Sequence, residues 1–371
     1  MVRRPSPRAR AAQWVLLAGV VAVAWVLGSI AAANLDRRNM GFGFGFLGDH
    51  ANFDIPFHLI GWADGDTYGR ALLVCILNTL LVSAMGIVAA TLLGLVVGVM
   101  RLSRNWLVRN LALGFIELVR NTPQLVQIVF WYVAVLQTLP PPRQSILLPA
   151  GFLLNIRGFY LPNPVPGPLA PVLQPLALIL LAAIPLIWNR HLRGRPLGSR
   201  ALLLAIPAAA LAAASIVTVE RPVLHGFNIA GGVQVPPELV ALWAGLSVYS
   251  AAFIAEIVRA AIQSVDKGQR EAALSLGLRH GQVLRRVVLP QALRVMVPPL
   301  TSQYLNLIKS SSLGAAVAYP ELFQIFAGTV LNQSGRELET IIILMAVFLF
   351  ISLAVSALMN WYNRRVALVG R

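Results

Sequence analysis

A single cysteine among 371 residues, Cys75, leaves no partner for an intrachain disulfide and no thiolate cluster for a metal. It falls inside an apolar run and reads as a small buried residue. Histidine is as sparse: His50, His58, His191, His225 and His280 are scattered over loops on opposite sides of the chain, without metal-ligand spacing or an accompanying nucleophile set. That excludes the usual signatures of an enzyme. The chain also lacks a Gly-x-x-x-x-Gly-Lys-[Ser/Thr] phosphate loop, so any ATP hydrolysis belongs to a partner chain. Charge is the last scarcity, at 12% of residues against about 25% in a soluble domain.

Apolar residues fill the space: 57% of the chain is hydrophobic, in runs near the ~20 residues that cross a bilayer core of about 30 Å. The pattern predicts an all-α polytopic membrane protein with about eight transmembrane helices, at about 12–33, 70–99, 112–138, 167–188, 201–219, 239–262, 291–312 and 338–360. The net charge of +16 lies in short loops and gives orientation, with no call for nucleic acid. Every second loop is arginine-rich, holding Arg3 to Arg10, then Arg101, Arg104 and Arg109, then Arg190, Arg193, Arg195 and Arg200, then Arg259 through Arg294, then Arg364, Arg365 and Arg371. The intervening loops carry Asp36, Asp49, Asp54, Asp64, Asp66, Glu220, Glu238, Glu321, Glu337 and Glu339. The positive-inside rule then places both termini in the cytoplasm. Residues 12–33 are too long for a signal-peptide core and lack a small-residue cleavage site, so they read as a retained first span.

Two outward loops stand out. Gly41-Phe42-Gly43-Phe44-Gly45-Phe46 alternates in a way no helix does, and reads either as an interfacial aromatic loop or as contact with an external partner. The stretch 140–175 carries Pro140, Pro141, Pro142, Pro162, Pro164, Pro166, Pro168, Pro171 and Pro175, which breaks any continuous helix. The fourth and fifth spans beyond it hold almost no ionisable residue and read as lipid-facing ballast.

Ionisable residues at membrane depth are functional candidates by default. Glu117 and Arg120 stand three apart near the start of the third span, and Glu256 and Arg259 repeat that spacing near the end of the sixth, each pair on one helical face. They are either structural ion pairs or an inner gate. A second polar set comprises Asn306, Lys309, Ser310 and Ser311 late in the seventh span, with Asn121 and Thr122 in the third. Lys309 either snorkels to the interface or faces a path in which a passing carboxylate is its partner.

The basic segment 263–290 lies between two membrane-length runs. Gln269 to Leu276 are good helix formers, Glu271 favours the positive helix end, and Gly277 can adopt the left-handed conformation that stops a helix. Ala272, Ala273 and Leu276 offer a face for close approach by a partner, while Arg285 and Arg286 return the chain toward headgroups.

Glu271-Ala272-Ala273-Leu274-Ser275-Leu276-Gly277, followed by Leu289-Pro290, resembles the EAA loop of bacterial ABC importer permeases. The likeness extends over Asn78-Thr79-Leu80-Leu81-Val82-Ser83, Arg120-Asn121-Thr122-Pro123, Phe130-Trp131-Tyr132, residues 249–259 and Lys309-Ser310-Ser311-Ser312-Leu313, and the Gly-Phe loop with Phe53-Asp54-Ile55 is similar to the general L-amino acid and glutamate/glutamine/aspartate/asparagine permeases. The resemblance implies a five-helix permease core plus an N-terminal helix and an inserted helix pair. It divides the chain into 1–69 (tail, first helix, periplasmic loop), 70–139 (first part of the core), 140–238 (insert), 239–362 (second part of the core, with the EAA loop at 263–290) and 363–371 (tail). It implies a subunit of a bacterial inner-membrane importer of polar L-amino acids, whose partners are a second permease, two ATPase subunits that bind ATP and Mg, and a periplasmic amino acid-binding protein. Glu271, Ala272, Ala273, Leu276 and Gly277 would dock the ATPase, and this chain would bind no cofactor itself. A self-sufficient secondary transporter or channel is the alternative, but the short Glu-Arg echo is its only trace of related halves.

Overall fold

The computed structural model describes residues 7–37, 42–63, 65–187, 197–226 and 228–366. In chain order its helices are α1 (Pro7–Arg37), α2 (Tyr68–Met100), α3 (Trp106–Arg120), α4 (Gln124–Val129), α5 (Ala170–Ile187), α6 (Leu197–Ala214), α7 (Pro237–Gln263), α8 (Lys267–Ser275), α9 (His280–Val283), α10 (Leu289–Ser310), α11 (Leu331–Ser334) and α12 (Glu337–Val366). Wider π turns continue α4 over Phe130–Leu136, join α9 to α10 over Leu284–Val288, and precede α11 over Gln324–Val330.

The centre of the molecule is the α2–α7 pair. Thr67 caps α2, its hydroxyl accepting from the Arg70 amide at 3.3 Å, and a largely apolar helix of 33 residues then runs about 50 Å. Gly86, Ala90, Gly94 and Gly98 recur every fourth residue, all buried; Gly86 receives Leu307 of α10, while Gly94 and Gly98 let α7 approach closely. A β-carbon on Gly94 would lie 2.6 Å from Ile254 Cγ2, and one on Gly98 2.7 Å from the Ala255 carbonyl oxygen. Facing them, α7 buries Ser247, Ala251 and Ala255 at the same spacing. This small-residue seam was readable in the sequence and went unread. Around it α10, α3 and α4 pack on α7, and α12 packs on α10.

Among the described residues four helices are long and apolar enough to cross a membrane, within α1, α2, α7 and α12, while the apolar parts of α5, α6 and the 124–136 segment are shorter. The expected third span, 112–138, is two pieces. Pro123 has no amide to donate and takes extended backbone at ψ 137, so α3 stops at Arg120 and the chain restarts at Gln124. Side chains repair the break: Gln127 Nε2 donates to the Val119 carbonyl at 2.8 Å and to Thr122 Oγ1 at 2.7 Å. Ahead of the break α3 is amphipathic, burying Ala112, Ile116 and Val119 and exposing Leu111 and Leu118.

The insert corrects the all-α expectation. Strands β1 (Ile146–Leu148), β2 (Phe152–Asn155), β3 (Gly158–Leu161), β4 (Asn163–Pro166), β5 (Ile216–Glu220), β6 (Val223–His225), β7 (Asn228–Ala230) and β8 (Val233–Val235) build a four-stranded antiparallel sheet in the order β1-β2-β3-β8 and two ribbons, β4-β5 and β6-β7. The expected fifth span ends early, because residues 216–219 belong to β5 and pair with β4. Prolines fit here since their missing amides fall on short edge strands. Helices α5 and α6 pack chiefly on each other beyond this ribbon. The expectations on Arg3, Arg4, Arg190, Arg193, Arg195 and Arg371 lie outside the described residues.

The Gly-Phe loop is partly core. Phe46 is buried among Tyr68, Leu322 and Phe326, and the Gly43 amide donates to Glu339 Oε1 on α12 at 3.1 Å, whereas Phe42 and Phe44 stay exposed in an edge-to-face pair.

Candidate functional site

Between α7 and α10 the chain builds a short helix with both ends sealed. Asp266 caps α8, its carboxylate accepting from the Gly268 amide at 2.9 Å, a signal the sequence reading did not use. At the other end the Gly277 amide donates to the Leu274 carbonyl at 2.9 Å and the Leu278 amide to the Ala273 carbonyl at 3.3 Å. With Gly277 at φ 78 this is a Schellman termination, and it requires the left-handed backbone that glycine adopts without strain.

The exposed face of α8 differs from the expected one. Ala273 is buried against Val265, Val283 and Val288, because the turn 284–288 folds back beneath α8. It supports the helix and offers nothing to a partner. Glu271, Ala272 and Leu276 remain outside, and Leu276 is 83% exposed, an apolar knob on a polar surface. Arg270 donates from Nη2 to the Ile262 carbonyl and so ties α8 to the last turn of α7.

The two Glu-Arg pairs diverge. Arg259 grips Glu256, with Nε donating to both carboxylate oxygens at 3.0 Å, and also donates to Gln263. No ion pair joins Glu117 to Arg120 among the described residues. Glu117 instead accepts from Asn121 Nδ2 at 3.3 Å, and the Arg120 guanidinium lies 5.1 Å from the Phe253 ring centroid. Phe253 is one turn before Glu256, so Arg120 and Arg101 both extend their fields to that carboxylate. The Glu256 carboxylate is thus paired with Arg259 on α7, while Arg120 on α3 and Arg101 at the end of α2 add only longer-range attraction.

On α10, Asn306 and Lys309 are exposed, Ser310 is half-buried, and Ser311 is buried with its hydroxyl donating to the Ile308 carbonyl at 2.7 Å. Lys309 has no ion pair among the described residues. The helix is seated on α2 at this level, with Leu307 against Gly86 and Tyr304 Oη 3.0 Å from Thr91 Oγ1. Asn121 and Thr122 lie at the α3–α4 break, and no hydrogen bond joins them to the α10 set among the described residues.

A polar knot went unrecognised in the sequence. Asn78 Nδ2, fully buried on α2, donates to the carbonyls of Phe57 and Pro320, both at 2.8 Å, and the Tyr319 hydroxyl donates to the Asn78 carbonyl at 3.2 Å. The Leu322 amide donates to Thr79 Oγ1, and Glu321, also fully buried, accepts from the amides of Phe323 and Gln324 at 2.8 and 2.7 Å. Glu321, expected as an outward loop acid, is the cap of the turn at 322–330. The signal was Asn78-Thr79 inside an apolar run.

A family model described as "Binding-protein-dependent transport system inner membrane component" matches residues 90–368. The amino-acid ABC transporter permease protein YhdX of Escherichia coli is 48% identical over 381 residues, covering 99% of this chain and 96% of that one. The general L-amino acid transport system permease protein AapQ of Rhizobium johnstonii is 44% identical, covering 96% and 91%. The glutamate/glutamine/aspartate/asparagine transport system permease protein BztB of Rhodobacter capsulatus is 38% identical, covering 96% and 93%. Among solved structures, one titled as the crystal structure of an amino acid ABC transporter with histidines superposes with a TM-score of 0.51 at 21% identity, covering 80% of this chain and 95% of that chain.

Proposed function

Because the chain belongs to the family of binding-protein-dependent transport system inner membrane components, we propose that it is the permease subunit of an ATP-driven importer of polar L-amino acids. The observation that carries this reading beyond family membership is α8: a capped helix between two core helices, ending at Gly277 and presenting Leu276, suits a groove on an ATPase. The partner ATPase would bind ATP and Mg, since this chain has no phosphate loop. A second permease subunit, two ATPase subunits and a periplasmic amino acid-binding protein complete the proposed machine. Reconstitution of that complex in proteoliposomes, with competing L-amino acids and ATP inside or outside, tests the reading; uptake that persists without ATP would point to a secondary transporter.

Eight crossings with cytoplasmic termini form the proposed topology, as the arginine asymmetry supports. In a Cys75→Ala background, single cysteines at 49, 164 and 337 should react with an impermeant thiol reagent from outside, and those at 104, 193 and 285 only after permeabilisation. Labelling of position 193 from outside would remove the membrane crossing of the α5–α6 pair.

Lys309, with Asn306 and Ser310, is assigned to the substrate path, together with Asn121, Thr122 and Ser311. An exposed ammonium on a core helix requires a partner in a water-poor setting. Lys309→Met should lower transport about tenfold or more with membrane insertion and ATPase assembly intact, and Lys309→Arg should recover part of it. Wild-type transport by Lys309→Met with unchanged preference would make the residue a lipid anchor. The Glu256, Arg259 and Arg120 cluster, with Glu117 beside it, is assigned to the inner gate.

A further inference from the structure

On the outer side a cavity of about 450 Å³ opens where the insert meets the core. Its wall is assembled from four separate stretches: Phe57 from the loop before α2, Gln137 at the end of the turn following α4, Arg157 in the β2–β3 turn, and residues 234–238, which bring Gln234 on β8 and Glu238 in the first turn of α7. The register of β3 with β8, which pairs Tyr160 with Gln234, sets the insert's side of the wall. Gln234 Nε2 donates to the Arg157 carbonyl at 2.7 Å and holds the β2–β3 turn in place.

The cavity therefore has one guanidinium, one carboxylate and two carboxamides, and its two charges are unmatched. Arg157 is exposed and spends Nη1 on the neutral Asn228 side chain at 2.8 Å. Glu238 is half-buried, accepts from the Tyr132 hydroxyl at 3.1 Å, and gains from the positive end of α7. Neither forms an ion pair among the described residues. A ligand carrying both signs would supply both missing partners, the planar fork of the arginine suiting a carboxylate and the glutamate suiting an ammonium. The volume lies in the range of small-molecule pockets, about 300–1,000 Å³. Phe57 is itself anchored to the core, because its carbonyl accepts from the buried Asn78 amide that also donates to Pro320.

We propose that this cavity is an entry subsite for the zwitterion of an L-amino acid, with Arg157 taking the α-carboxylate, Glu238 the α-ammonium, and Gln137 and Gln234 addressing a polar side chain. The inference rests on the amino acid importer reading and gives the insert a part in it. Since the cavity is outside the membrane-spanning pairs, the subsite governs capture and not the turnover step.

The test uses the whole reconstituted complex and the L-amino acid it carries fastest, with the decarboxylated and N-acetylated analogues of that compound as competitors. Arg157→Gln should raise KM at least about tenfold with the maximal rate unchanged, and should abolish discrimination against the decarboxylated analogue alone. Glu238→Gln, which keeps an acceptor for Tyr132, should abolish discrimination against the N-acetylated analogue alone. Wild-type KM in both variants, or equal losses for all three compounds, would overturn the subsite while leaving the importer reading standing. A drop in affinity for the binding protein with analogue discrimination intact would also overturn it, making the cavity a protein contact. Failure of the wild-type complex to carry any L-amino acid would overturn both.

Discussion

Replacing Gly98 with leucine should leave no correctly packed permease in the membrane. A β-carbon at that position lies 2.7 Å from the Ala255 carbonyl oxygen and 2.8 Å from Val258 Cβ, and neither of these can swing aside as a side-chain tip could. Relief requires α2 and α7 to separate along the seam that organises the core, and overpacking by even a methylene or two costs about 1–3 kcal/mol where the backbone can yield. Leucine exceeds that, so the expected result is loss of the monodisperse peak in size-exclusion chromatography of the detergent-extracted protein. Gly98→Ala should give a lowered Tm with some folded material. Gly114→Leu, on α3 with nothing within 4 Å of the added carbon, should behave as wild type. A normal peak and normal transport for Gly98→Leu would show that the two helices do not meet as described.

Gly277→Val should abolish coupled transport while the chain still inserts. At φ 78 a β-branched residue costs about 1–3 kcal/mol, and the Schellman bonds from Gly277 and Leu278 close the C-terminal end of α8. Loss of that turn displaces Leu276, the exposed knob. Co-purification of the ATPase should fall with transport, and Gly277→Asn, which tolerates the left-handed region, should retain much of both. Loss of transport with the ATPase bound and normally stimulated would separate this turn from docking.

The sequence carried α8 well because every determinant of it is local: Glu271, Gly277 and the helix formers between them need no distant partner to be read. What it concealed depends on contacts that only the fold creates. Ala272 and Ala273 are indistinguishable in sequence, yet the return of residues 284–288 buries one and leaves the other exposed. Pro123 and the polar stretch 117–124 around it were visible, and their consequence was missed because the apolar residues on either side add up to one membrane-length run only if the dip between them is bridged. The alternating Pro162, Pro164 and Pro166 signalled extended backbone, but the pairing of β4 with residues 216–220 spans the whole helix pair and no local pattern announces it. Likewise Glu256 and Arg259 pair as their spacing suggests, while Arg120 leaves Glu117 for Phe253, an aromatic face supplied from 133 positions further along the chain.

The tether from Arg270 to Ile262 makes α8, the proposed docking helix, a lever rather than a hinged flap. With Ala273 wedged against Val265 and Val283 on one side and the guanidinium fastened to the last turn of α7 on the other, α8 has no slack in which to absorb a push. Force applied at Leu276 would reach the last turn of α7, and the glycine seam, where Ile254 and Val258 lie directly against Gly94 and Gly98, would pass it to α2. Tilting α2 and α7 together would let a stroke of a few ångströms from the proposed ATPase partner be magnified along about 50 Å of α2.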